Sequence, residues 1–283
     1  MYKEVTAALV IGIVVGVLGI VAVSPILHPT TTTTQGKVFV FAGAAAAPVY
    51  DEAARLFEAK YGIKVELRLG GSGGVLSAMK IAKTGDVFIP GSPEYLLEAA
   101  ESGVINITSG HVKKLVYLVP AIIVQKGNPK NITSLEDLAK PGLRVGIGDP
   151  KSVCVGLYAR ELLEKNGLWE TVKGNIVVYA QSCDATAALI PTKAVDVIIG
   201  WHVFQAWYPD KADIVWIAPT KIPKIGYIAG AVSIFAEDKV SAERFLDFLS
   251  SSDMAKIWAT YGYFATEQEA KVRAPNAEIP ALS

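Results

Sequence analysis

Apolar positions follow two different rules along this chain. From Val5 to Gly36 there is no Asp, Glu, Lys or Arg, and "TAALVIGIVVGVLGIVAV" is apolar on every side of any helix or strand it could form. Such a run is long enough to cross a bilayer as a helix, so residues 1–27 read as a transmembrane anchor or signal segment. Its length and the lack of a lipid-attachment Cys favour an uncleaved anchor over a removed signal peptide. Residues 28–36, "HPTTTTTQG", cannot build a core and read as a Thr-rich stalk. The rest of the chain is expected outside the cytoplasm, tethered to the cell membrane or secreted after cleavage.

From Lys37 onward short apolar runs alternate with amphipathic ones. "KVFVFAG" has strand character, and "PVYDEAARLFEAKYG" places Val49, Ala53, Leu56 and Phe57 at helical spacing before a closing Gly62. "IKVELRLGG", "VLSAMKIAKTG", "DVFIPGS" and "PEYLLEAAESGVI" continue as strand, helix, strand and helix. This order predicts a mostly parallel sheet with helices on both faces. "LVYLVPAIIVQKGNP" then reads as one extended segment, interrupted by Pro120, that leaves the first lobe. A second alternating series runs from "SLEDLAKPG" to "DIVWIAP". "GYIAGAVSIFA" reads as a strand returning to the first lobe, and "VSAERFLDFLSSSDMAKIWATYG" as one terminal amphipathic helix. The prediction is an α/β chain of two lobes, each a mixed, mostly parallel sheet flanked by helices. Lobe I spans 37–120 plus 225–268, lobe II 121–224, and 269–283 forms a C-terminal tail.

Composition adds little to this picture except by exclusion. The 283 residues are 51% hydrophobic and carry 27 basic and 27 acidic side chains, so no global field draws the protein to nucleic acid. Cys154 and Cys183 are the only cysteines, and in an external compartment a disulfide is permitted. The "NIT" tripeptides at Asn106 and Asn131 suit an external chain.

The stretch "LRLGGSGGVLSAMK" sets four glycines around Ser72 where a strand ends and a helix begins. Ligands of open α/β sheets bind at such strand ends. The free N–H groups of a helix start can hold an anion, the glycines let it approach, and the hydroxyl adds a donor. The P-loop spacing fails because no Lys follows Gly74, and the dinucleotide glycine spacing fails as well. A plainer alternative is that Ser72 only caps its helix. "VFAGAAAAPVY", "GDPKSVCVGLY" and "YAQSCDATAAL" offer further small-residue helix starts, which makes four in all, two in each lobe, able to converge on one cleft.

These segments, with "VDVIIGW" and "FLDFLSSSDMAKIWATYGY", resemble the molybdate/tungstate-binding proteins of ABC importers, within the two-lobed periplasmic binding proteins. The likeness covers Val38 to Phe264. It implies capture of a tetrahedral dianion by backbone N–H and hydroxyl donors, delivery to the permease subunits of an ABC transporter, action as a monomer, and no cofactor or catalytic step. Carried over position by position, the site falls on Ala45, Ser72, Val155, Cys183 and Trp201. Only Ser72 keeps the family's hydroxyl. Ala45 retains just its N–H, and Trp201 supplies an indole donor where the family often has a phenol, unless it is plain core packing. Cys154 and Cys183 both neighbour proposed donors, so a disulfide between them would pin two helix starts together.

Other readings fit the residues less well. No His-x-x-x-His or Cys-x-x-Cys pair signals zinc, and "GSGG" is not a nucleophile elbow. His202, beside Trp201, reads as a structural histidine, Asp149 as a turn residue, and Asp86 as a capping or pairing carboxylate. Tyr158 and Tyr227 do not supply a ferric site. Sulfate, phosphate or a chelated metal remain alternative ligands, and an external α/β enzyme would need Ser72 beside His202.

Overall fold

The computed structural model describes residues 36–108 and 111–282. The expected anchor and nearly all of the stalk lie outside the described residues. Among those described, no helix is long and apolar enough to cross a membrane.

The first lobe is built on β1 (Lys37–Gly43), β2 (Lys64–Gly70), β3 (Val87–Ile89), β4 (Val112–Leu118) and β10 (Gly226–Val232), in the order β2-β1-β3-β10-β4. β1 is parallel to β2 and β3, whereas β10, returning from the second lobe, is antiparallel to β3 and β4. The second lobe holds β5 (Pro120–Gln125), β6 (Val145–Gly148), β7 (Ile176–Ala180), β8 (Val197–Trp201) and β9 (Ala212–Val215), in the order β7-β6-β8-β5-β9. The two-lobed mixed-sheet architecture is therefore the one the alternating pattern predicts. Val119 alone separates β4 in one sheet from β5 in the other.

Helices α1 (Ala47–Tyr61), α2 (Ser72–Ala82) and α3 (Pro93–Glu101) follow strands of the first sheet. In the second lobe, α4 (Cys154–Lys165), α6 (Cys183–Ala188) and α7 (Val203–Trp207) do the same, and the short α5 (Trp169–Val172) follows α4. The β1–α1 connection is a 3-10 turn over Ala44–Ala46, three small residues with no side chain to fill the space at the strand end. α1 takes Pro in its first turn and ends at Gly62, whose φ of 67° is one that a side chain disfavours. Its inner face buries Val49, Tyr50, Ala53 and Phe57, and Phe57 meets Phe245 edge-on at 5.1 Å. Each such large apolar side chain contributes about 1.5–3 kcal/mol on burial.

The terminal amphipathic stretch is two helices rather than one, α8 (Lys239–Leu249) and α9 (Ser252–Thr260). Side chains take the last carbonyls of α8. The Ser250 hydroxyl donates to Leu246 O, the Ser251 hydroxyl to Phe248 O, and Trp258 Nε1 to Leu249 O. Serines that satisfy these carbonyls locally favour a break over continuation. A further helix, α10 (Glu267–Arg273), starts at a capping box formed by Thr266 and Glu269. Its Val272 is exposed, so no apolar stripe announces it. "SLEDLAKPG" forms only a 3-10 turn, Glu136–Ala139.

Candidate functional site

The carboxyl ends of β1, β3, β6 and β8 and the loops after β2 and β7 point toward the seam between the lobes, and the helices that follow them start there. Ser72 is the first residue of α2 and is buried. It does not cap the helix, because Gly71 holds the N-cap position, and its Oγ accepts a 3.0 Å hydrogen bond from Gly91 N. That bond ties the Ser72 hydroxyl to the loop after β3. Gly43 has to be bare for the same reason, since a Cβ there would lie 2.6 Å from both Gly91 N and Ser72 Oγ.

Gly91 is the pivot of the arrangement, and sequence reasoning missed it. A Cβ at this position would lie 2.5 Å from Cys154 Sγ, across the seam, and 2.7 Å from the Ala45 Cβ, with Ser72 Oγ at 3.6 Å. One point thus touches residues from the first 3-10 turn, α2 and α4. Cys154 Sγ in turn lies 3.3 Å from Cys183 Sγ, the first residue of α6, and the candidate disulfide is here a pair of thiols. The Val155 N–H and the Trp201 indole both sit against these sulfurs. The structure therefore brings Ala45, Ser72, Val155, Cys183 and Trp201 together, with Cys154 among them. All are buried to 1% exposure or less.

The lobes are in contact here. Gly73 N donates to Ser152 O at 3.0 Å across the seam. At its edge Tyr158 Oη donates to Glu94 at 3.3 Å, and Lys224 bridges Glu94 at 3.4 Å and Glu161 at 2.6 Å. The Lys224 pKa is raised, because its two carboxylate partners outweigh the cost of partial burial.

Electrostatically the site holds uncharged donors and one ionisable sulfur. Burial opposes a charge on either cysteine. Around Cys154 the Cys183 thiol, the Ser72 hydroxyl, the Trp201 N–H and the Val155 N–H outweigh that cost and hold its pKa below the ordinary thiol value. Cys183 is pushed well up, by burial and then by its neighbour Cys154. Tyr50, in the first turns of α1, is raised far above the ordinary phenol value by burial and then by the two cysteines, so it is a neutral O–H donor.

Two donors at this place have no ordinary partner. Tyr50 Oη and Trp201 Nε1 are both buried and make no hydrogen bond of normal geometry. Leaving a buried donor unmade costs about 1–3 kcal/mol. Ser92 Oγ, next in the chain to Gly91, is unpaired too. Tyr50 was not singled out in the sequence, and its phenol at the start of a helix beside four alanines is the signal that could have found it.

The remaining candidates fall elsewhere. Val119 N–H donates to His202 Nδ1 at 3.2 Å, so the ring proton sits on Nε2, which donates to Gly262 O at 2.9 Å. Phe264 stacks on the imidazole at 4.3 Å. Burial, reinforced by Arg273, brings the His202 pKa down to about 4. Ser72 and His202 thus have separate partners and form no dyad. Asp86 accepts from Phe39 N and Glu237 N, and Asp149 from Lys151 N and Ser152 Oγ, as pairing and turn residues. A surface groove of about 670 Å³ between α1 and α9 is lined by Leu56, Lys60, Phe248 and Asp253, and its Lys60 is already paired with Asp253 at 2.8 Å.

Two lobes joined by crossing strands, with helix starts converging on the seam, define a ligand-capturing protein of the periplasmic-binding type. A family model described as bacterial extracellular solute-binding protein matches residues 38–264, and the chain belongs to that family, whose members work outside the cytoplasm. It is 23% identical over 236 residues to the molybdate-binding protein ModA of Escherichia coli K12, a match covering 81% of this chain and 89% of that protein. Its fold is similar to that of the Azotobacter vinelandii periplasmic molybdate-binding protein, with a TM-score of 0.68 at 19% identity over 81% of this chain and 100% of that one. It is equally similar to the sulfate-binding protein SubI of Mycobacterium tuberculosis H37Rv, at a TM-score of 0.68 and 18% identity over 87% of this chain and 93% of that one.

Proposed function

We propose that this chain is the solute-binding protein of an ABC importer, that it captures a tetrahedral oxyanion between its lobes, molybdate or tungstate first, and that it delivers the anion to a membrane permease. In this reading residues 1–27 tether it to the membrane, lobe I comprises 37–120 and 225–268, lobe II comprises 121–224, and one chain supplies the whole site. The observation that carries the reading is the meeting of uncharged donors at the seam, two of which, Tyr50 Oη and Trp201 Nε1, lack partners.

An anion entering the open cleft is met by the amides of Ala45, Ser72, Val155 and Cys183 and by the side chains of Ser72, Tyr50 and Trp201. The amides of Ser72, Val155 and Cys183 belong to first helical turns, which lack intrahelical acceptors. Each hydrogen bond to the charged oxygen contributes about 1.5–3 kcal/mol net. Rotation about the crossing strands then closes the lobes over the ion. A protonated phosphate needs an acceptor for its own O–H, which the amides and the Trp201 indole cannot supply and only the Ser72 and Tyr50 hydroxyls can, so phosphate is penalised relative to a fully deprotonated dianion. Titration calorimetry with tungstate, molybdate, sulfate and phosphate tests the assignment. Tungstate or molybdate is expected to bind tightest, and indifference to all four would remove oxyanion capture as the function.

A further inference from the structure

Two cysteines that merely filled a core would be surrounded by aliphatic carbon. Cys154 and Cys183 instead open two different helices, α4 and α6, with their sulfurs 3.3 Å apart on the second-lobe wall of the cleft. Opposite them lie Gly91 and Ala45 of the first lobe, and the Ser72 hydroxyl, the Val155 N–H and the Trp201 N–H turn toward Cys154. A thiol at a helix start among hydrogen-bond donors is the setting of a reactive cysteine. A second thiol in contact supplies the resolving partner.

We infer that Cys154 and Cys183 are ligand-contacting residues and that their dithiol or disulfide state sets the affinity of the cleft. The inference rests on the oxyanion reading above. As thiols, both sulfurs offer an S–H to the anion. As a disulfide they offer only lone pairs, which face the anion unfavourably.

The oxidant is a small disulfide of the oxidised-glutathione or cystine type. The Cys154 thiolate attacks one of its sulfurs and expels a thiolate, which takes up a proton. Cys183 loses its own proton and attacks the Cys154 sulfur, displacing the second small thiol. One disulfide is exchanged for another, two small thiols leave, and no further electron acceptor is needed. In the closed form Cys154 and Cys183 are 0% and 1% exposed, so the exchange has to pass through an open state that breaks the Gly73–Ser152 contact. A bound anion, by holding the lobes shut, protects the pair. By linkage, whatever factor oxidation removes from anion affinity, the anion returns as preference for the dithiol.

The test uses the full chain, fully reduced or treated with excess oxidised glutathione, with intact mass and thiol titration reporting the disulfide and calorimetry reporting tungstate affinity. The expected results are an intramolecular disulfide, slower formation with saturating tungstate, and an affinity weaker by about tenfold that dithiothreitol restores. The C154S/C183S double variant should be indifferent to the oxidant. Equal or tighter binding after oxidation, thiols that stay unbonded, or a double variant that still responds to oxidant would each overturn the inference and leave oxyanion capture standing. Failure of both states to bind tungstate, molybdate, sulfate or phosphate would overturn the two together.

Discussion

The seam between the lobes contains two polar clusters, and they are finished to different degrees. At the hinge, His202 has both ring nitrogens engaged, by Val119 N and Gly262 O, and its face covered by Phe264. In the cleft, Tyr50 Oη is as deeply buried with no hydrogen-bond partner, and Trp201 Nε1 has only the cysteine sulfurs beside it. Burial without satisfaction costs stability, and the unpartnered donors of the cleft are the groups that the proposed anion would satisfy. The contrast separates structural from functional polar groups more sharply than residue type does, since a histidine would ordinarily be the stronger functional candidate.

The largest expected effect is at the hinge. His202 falls from 6.5 to about 4 on folding because of burial, so the unfolded chain binds the proton more readily. Its contribution is complete above pH 6.5 and is lost as the pH falls toward 4, a loss of about 3 kcal/mol. Urea melts at pH 7 and pH 4.5 should show it, and a His202→Phe variant that retained the same slope would assign the acid sensitivity to another group.

In the cleft the strongest perturbation is Gly91→Val, whose Cβ would press on Cys154 Sγ and the Ala45 methyl. Overpacking of this kind costs about 1–3 kcal/mol; the clash with Cys154 opposes closure, so tungstate affinity should fall by about 10- to 100-fold, and the clash with Ala45 in the same lobe lowers the melting temperature of the unliganded protein as well. Ser72→Ala removes the hydroxyl that holds Gly91 N, and about tenfold weaker binding by calorimetry is expected. Unchanged affinity would take Ser72 out of the site.

The smallest effect is the most diagnostic. Tyr50→Phe deletes only the unpartnered O–H, so the empty protein should gain about 1 kcal/mol while anion binding weakens a few-fold. The two changes have opposite sign. A structural phenol would lose on both counts, and thermal melts run with and without tungstate distinguish the cases.

Much of this could be read from the residues because the signals are local. A bare glycine turn between a strand and a helix, or small residues at a strand end, announce themselves within a dozen positions, and Ala45, Ser72, Val155, Cys183 and Trp201 do meet. Gly91 was invisible because its requirement is set by Cys154 on the other lobe, and "DVFIPGS" shows only a buried strand followed by Pro. Tyr50 was hidden because it sits on the buried face of α1 and reads as core. The split between α8 and α9 escaped because the apolar stripe continues across Ser250 and Ser251, whose hydroxyls decide the break.

Val119, the lone residue between β4 and β5, is gripped at both ends of its peptide framework, its N–H by His202 Nδ1 and its carbonyl by His202 N at 3.0 Å. A joint with so little slack lets the halves swing but hardly slide. On the proposed closure, such a joint would bring the facing residues back into the same alignment each time. Selectivity would then be a matter of which guest fits a bite set by chain connectivity, and softening this link would blur discrimination before it reduced capture.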